Sequence, residues 1–302
     1  MKIRLFIFLI ALNILTSQAQ GLTKNYQVDT SNLENLAKKI IGSEKSNVKK
    51  TDMLLKWVYG NIEWLPTDYA KRTVNQILAR GGGNCFEMAE VYMALLKTLK
   101  IKYRAVKEIN IHRHDENRQT RAEDKVNKYG YGMSIFGRGH NDHRWVEVYD
   151  STSFEWVPVD PTMNIMGLKQ WLLNRVGFEK RVSIDTSISN SMIVPFAIFA
   201  LTDNKSGVIA EWRVQYYLID EFDKLYDGKL SQLPSWGKWT KAITEIQLFA
   251  KQAFEGQINL HAYSDNISEI KNIYFNLKNE YKNYKQKHPG TNLAKGNAKA
   301  SH

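Results

Sequence analysis

His143-Arg144-Trp145-Val146-Glu147-Val148-Tyr149-Asp150-Ser151-Thr152-Ser153-Phe154-Glu155-Trp156-Val157-Pro158-Val159-Asp160 holds two aromatic and β-branched runs on either side of a polar turn. That pattern predicts a β-hairpin. A turn centred on Ser151 and Thr152 sets His143 directly opposite Asp160 on one face of an antiparallel pair. A slip by one pair leaves the two diagonal but on the same face, because strand side chains alternate with a period of two. In either register Asp160 can orient the His143 imidazole.

Upstream of the hairpin, residues 103–111 read as a further strand, and before it the period changes to that of helices. Leu33, Leu36, Ala37, Ile40 and Ile41 mark one helix, stopped by Gly42, and Leu54, Leu55 and Val58 mark a second over residues 52–59. A third, short helix carries Val74, Ile77 and Leu78, opens on Thr73 as cap and ends at Gly81-Gly82-Gly83. The triple glycine feeds a longer helix starting near Cys85, with Met88, Ala89, Tyr92, Leu95, Leu96 and Leu99 predicting packing along one face. Helices followed by antiparallel strands make an α+β domain.

Cys85 is the only cysteine of the 302 residues, so it has no intrachain partner for a disulfide. By itself a lone thiol reads as a small buried hydrophobe. Its place at a helix N-terminus, where the dipole favours thiolate, together with a histidine and an aspartate set on one sheet face, points instead to an activated nucleophile. In that constellation His143 is the base and Asp160 its orienter, the logic of acyl-transfer triads, and free backbone N–H groups at the helix start could contribute to an oxyanion hole.

Three motifs in order, Gly83-Asn84-Cys85 with Ala89, His143-Arg144-Trp145-Val146-Glu147-Val148, and Trp156-Val157-Pro158-Val159-Asp160-Pro161-Thr162, resemble the core motifs of the transglutaminase-like superfamily. The resemblance spans residues 50–165. It implies a papain-like α+β core, the Cys-bearing helix packed on an antiparallel sheet, with Cys85 as nucleophile, His143 as general base and acid, and Asp160 as orienter. Members include transglutaminases, peptidases, amidases and inactive relatives. The family often uses an upstream aromatic or amide as a second oxyanion donor, for which Trp64 is the candidate, against the plainer reading of a core aromatic. Two functions follow: a thiol enzyme forming a thioester at Cys85 from amide or peptide carbonyls, with hydrolysis favoured over transamidation, or a noncatalytic module binding peptides or cell-envelope polymers.

At the N-terminus Lys2 and Arg4 precede an apolar run over residues 5–15, shorter than the about 20 residues a bilayer span needs. Ser17 and Ala19 then flank an expected cleavage before Gln20, so residues 1–19 read as a signal peptide and the mature chain as periplasmic or secreted. The formal charge of +11 includes Lys2 and Arg4 of that leader and Lys282, Lys285, Lys287, Lys295 and Lys299 near the C-terminus. Without an arginine stripe interleaved with aromatics, the expected partner is a peptide, protein or cell-envelope amide and not a nucleic acid. Residues 20–165 are expected to form the core, 166–287 a mostly helical C-terminal region and 288–302 a disordered basic tail. In the helical region, residues 191–201 read as buried core, Val214, Leu218, Phe222 and Leu225 as one helix broken by Pro234, Trp239, Ile243, Ile246 and Phe249 as another, and Ile267, Ile270, Tyr274, Leu277 and Tyr281 as a last.

Residues 112–142, polar and glycine-bearing, are long for a loop in a compact domain unless they serve as a lid or binding loop. His112, His114, His140 and His143 with Asp115 and Asp142 raise a metal site, but their spacing matches no closed zinc pattern, and no cofactor motif is present. Loop histidines in solvent are the plainer reading. Glu147 shares the face of His143 and reads either as a supporting carboxylate or as an ordinary half-exposed strand glutamate.

Overall fold

A computed structural model describes residues 32–68, 70–111, 142–178, 194–201, 209–258 and 260–288, with Asp124 and Lys128. The leader, nearly all of the 112–142 connection and residues 289–302 of the tail lie outside the described residues.

The amphipathic stretches form helices α1 (Leu33–Ile41), α2 (Asn47–Asn61), α3 (Val74–Arg80) and α4 (Cys85–Thr98). Side chains at their N-termini take up the unpaired backbone N–H groups: Asn32 for α1, Ser46 for α2, and capping boxes Thr73/Gln76 for α3 and Asn84/Glu87 for α4. Gly81 ends α3 at φ 67°, a left-handed conformation that favours glycine. Helices α1, α2 and α3 pack against α4, whose other side lies on the sheet. The expected single buried face is therefore too narrow: Val91 and Met93 are buried along with the predicted stripe, as a helix between two layers requires.

Between the first helices run two short parallel strands, β1 (Glu63–Trp64) and β2 (Gly82–Gly83). The main sheet has six strands in the order β6-β5-β4-β3-β7-β8, every neighbouring pair antiparallel: β3 (Tyr103–Asn110), β4 (His143–Asp150), β5 (Glu155–Asp160), β6 (Ile165–Met166), β7 (Pro195–Leu201) and β8 (Ile209–Trp212). The hairpin adopts the slipped register, Val146 opposite Val159 and Glu147 opposite Pro158, so His143 and Asp160 are diagonal rather than directly opposed. A four-residue turn over 151–154, with Phe154 left-handed at φ 61°, shifts the pairing by one pair.

Beyond the hairpin, α5 (Leu168–Arg175) covers the sheet, and the apolar run expected as buried core is strand β7, every residue of it buried. Strands β7 and β8 thus lie past the expected boundary at 165 yet complete the same sheet. The predicted helix through Val214 is a π-helical turn, Gln215–Asp220, running into α6 (Glu221–Leu225), and the next predicted helix divides into α7 (Trp236–Glu245) and α8 (Gln247–Phe254). Helix α9 (Ser264–Lys287) buries Ile270, Ile273, Tyr274, Leu277 and Tyr281. Its Tyr274 hydroxyl donates to the Val176 carbonyl at 3.0 Å, and Tyr281 joins Phe178 and Tyr226 in an aromatic cluster, which fastens α9 to the chain just after α5. No helix among the described residues is long and apolar enough to cross a membrane.

Candidate active site

Cys85 is the first residue of α4, delivered there by β2 and the Asn84 cap. Close approach favours glycine before it: a Cβ on Gly83 would lie 2.8 Å from Glu87 Cβ, whereas one on Gly82 would meet the movable end of Leu65 at 2.5 Å. Glu87 is buried at the same helix start, accepts the Asn84 N–H at 3.1 Å and pairs with Arg72 at 2.9 Å, so the capping carboxylate is neutralised beside the thiol.

His143 begins β4 and is buried, with Nε2 2.7 Å from Asp160 Oδ2. His143 is also hydrogen-bonded to Cys85. The following residue fastens the two elements together: the Arg144 guanidinium lies 3.8 Å from the Phe86 ring centroid and donates to Glu90 Oε1 at 2.6 Å. Its backbone N–H donates to the Cys85 sulfur.

Burial opposes ionisation of Cys85, but the hydrogen bond and charge of His143 and the Arg144 N–H outweigh it, holding the thiol below its ordinary value. Burial likewise pulls His143 down, and Asp160 together with Cys85 more than compensates, raising it to about 10. Both shifts favour a thiolate–imidazolium pair.

Asp160 is fully buried at the end of β5, and its second oxygen is also engaged: Oδ1 accepts the Thr162 N–H at 3.0 Å and the Thr162 hydroxyl at 2.6 Å. Sequence reasoning missed this role of Thr162, although an aspartate two residues before a threonine is a local signal for this turn. Trp64 is half-buried in β1 and pairs with Gly83, two residues before Cys85, while Leu65 N–H donates to the Gly83 carbonyl at 2.9 Å.

Glu147 departs from the half-exposed reading. It is fully buried, accepting Arg104 Nε at 2.5 Å, Arg213 Nε at 3.0 Å and the Tyr217 hydroxyl at 2.6 Å. Of the metal candidates, His112, His114, Asp115 and His140 lie outside the described residues. Asp142 accepts the Asn110 N–H at 2.7 Å, and among the described residues no three His, Cys, Asp or Glu side chains are grouped to hold a metal ion.

Residues 34–161 match the family model of the transglutaminase-like superfamily. A candidate cysteine protease from Cytophaga hutchinsonii is similar at TM-score 0.32 and 19% identity, over 46% of this chain and 40% of its own. A candidate protease from Parabacteroides distasonis ATCC 8503 gives TM-score 0.35 and 10% identity, over 58% of this chain and 26% of its own. Rad4–Rad23 bound to a 6-4 photoproduct UV lesion gives 0.37 and 11%, over 83% and 53%. This chain thus spans less than two thirds of each of those proteins. Comparison with curated proteins gave no match.

The expectation of a peptide, protein or cell-envelope amide partner with nucleic acid excluded is withdrawn, since one of the similar structures is a complex with DNA. Partner class does not follow from the scaffold. The family likeness is confined to one part of the chain: residues 34–161, which contain all three ordered motifs, match the transglutaminase-like superfamily.

Proposed function

We propose that the chain is an exported thiol hydrolase acting at amide carbonyls, with Cys85 as nucleophile, His143 as proton carrier and Asp160 as orienter. The carrying observation is the double engagement of the buried His143, bonded to Asp160 at 2.7 Å and to Cys85 at the start of α4. The Cys85 thiolate attacks the carbonyl carbon, forming the S–C bond and an oxyanion. The backbone N–H groups at the start of α4 and the Trp64 indole are the donors proposed for that oxyanion. The intermediate collapses by breaking the C–N bond, and the imidazolium of His143 gives its proton to the leaving amine. Neutral His143 then takes a proton from water, whose oxygen attacks the thioester. Breaking the C–S bond releases the acid and restores thiolate and imidazolium.

Water is preferred to an amine as acceptor because no dedicated amine-binding feature is evident in the sequence. The leader pattern of residues 1–19 supports export, which sequencing a mature N-terminus at Gln20 would bear out and one at Met1 would end. The chemistry is tested by incubating the protein with a library of amide and ester acyl donors and mapping adducts by mass spectrometry. An acyl group on Cys85, absent in Cys85→Ala, is the expected result. Turnover retained by folded Cys85→Ala would overturn the assignment.

A further inference from the structure

We infer that Glu108 and Arg175 form a positioning pair that holds the His143 strand and the Asp160 loop in the register the thiolate requires, an inference that rests on the reaction proposed above. Glu108 is the cross-strand partner of His143 in the β3–β4 ladder, and its carboxylate is fully buried. One oxygen accepts Trp145 Nε1–H at 3.1 Å, and the other is ion-paired with Arg175, the last residue of α5. The guanidinium also reaches Met163 Sδ at 3.9 Å, and Met163 N–H returns to the Asp160 carbonyl at 3.3 Å. One turn before Arg175, Trp171 lies against Trp145 with ring centroids 5.0 Å apart. Helix α5 therefore grips both sides of the His143–Asp160 contact, β4 through Glu108 and Trp145, and the loop after β5 through Met163.

This grip is not explained by packing alone. A buried ion pair is weak evidence for stability, since well-packed apolar residues of similar volume often replace one without loss. What an apolar replacement would not supply is the directional hold on Trp145 and Met163. The charged groups around His143 are Asp160 from β5, Cys85 from α4, and Glu108, itself paired with Arg175 from α5. Glu147 on the same face is already taken up by Arg104, Arg213 and Tyr217. Loss of the pair leaves the local charge balanced and loosens geometry, and misplacing a reacting group by about 1 Å costs about a hundredfold in rate.

The test uses the full chain with the double substitution Glu108→Gln/Arg175→Met, which removes both charges together and avoids an unpaired buried ion. Arg175→Lys keeps the charge without the fork. Iodoacetamide alkylation of Cys85 is followed across pH by mass spectrometry, with circular dichroism and urea midpoints reporting folding. The expected result is a folded double variant whose alkylation midpoint moves up toward an ordinary thiol and whose rate near neutral pH falls at least about tenfold. Arg175→Lys is expected to move the midpoint in the same direction by less. A folded double variant with the parent's midpoint and rate would overturn the inference and leave the Cys85 reaction standing. An ordinary midpoint in the parent would instead defeat the reaction itself.

Discussion

Replacing Glu147 by glutamine should cost about 2–4 kcal/mol, most of the about 3–5 kcal/mol expected when one partner of a buried ion pair is removed. The carboxylate has no exposed surface and holds Arg104 Nε at 2.5 Å, Arg213 Nε at 3.0 Å and Tyr217 at 2.6 Å. Glutamine keeps one acceptor oxygen and loses the charge, so two guanidinium groups are left with Glu211 as their counter-ion, which pairs with both at 2.9 and 2.5 Å. Glu211 is 45% exposed, so its own substitution by glutamine should cost no more than about 1 kcal/mol. Urea unfolding at neutral pH, followed by circular dichroism, reads the difference as a lowered midpoint at unchanged slope. Equal midpoints for Glu147→Gln and Glu211→Gln would be incompatible with this difference, because full burial and the Tyr217 hydrogen bond separate Glu147 from Glu211 in the network.

Thr162→Val removes the hydroxyl that donates to Asp160 Oδ1 at 2.6 Å and should cost about 1–3 kcal/mol, visible in the urea midpoint, while slowing Cys85 alkylation. For His143 the folded value of about 10 stands above the ordinary 6.5, because Asp160 and Cys85 outweigh the opposing effect of burial. Its stabilising contribution is therefore complete below pH 6.5 and lost as pH rises through about 10, so the urea midpoint of the parent should fall over that window more than that of His143→Gln. Phe154 is 77% exposed and left-handed at φ 61°, so Phe154→Gly should raise stability by about 0.5–1 kcal/mol, read as a higher melting temperature.

The candidate site was legible in sequence because its parts are local. His143 and Asp160 lie on the two arms of one hairpin, where either register keeps them on a common face, and Cys85 follows a glycine run that ends one helix and opens the next. The Asp160–Thr162 turn was equally local and could have been read from residue type alone. Long-range pairing hid the rest. Residues 195–201 are apolar throughout, and only their partners on β3 and β8 make them a strand, since such a run fits a buried helix segment equally well. Glu147 looked like an ordinary strand residue because Arg104, Arg213 and Tyr217 reach it from three separate segments. The π-helical turn at Gln215–Asp220 escaped for a different reason, as apolar spacing of three and four residues does not register an added residue in one turn.

The reaction proposed for Cys85 requires His143 and Asp160 to hold it as a thiolate. The most direct measurement is the rate of Cys85 alkylation by iodoacetamide from pH 4 to 10 in the parent protein and in His143→Ala. The parent midpoint is expected below the about 8.5 of a free cysteine and lost in the variant, which should react as an ordinary thiol. A parent midpoint at or above that value, or one shared by the two proteins, would contradict it.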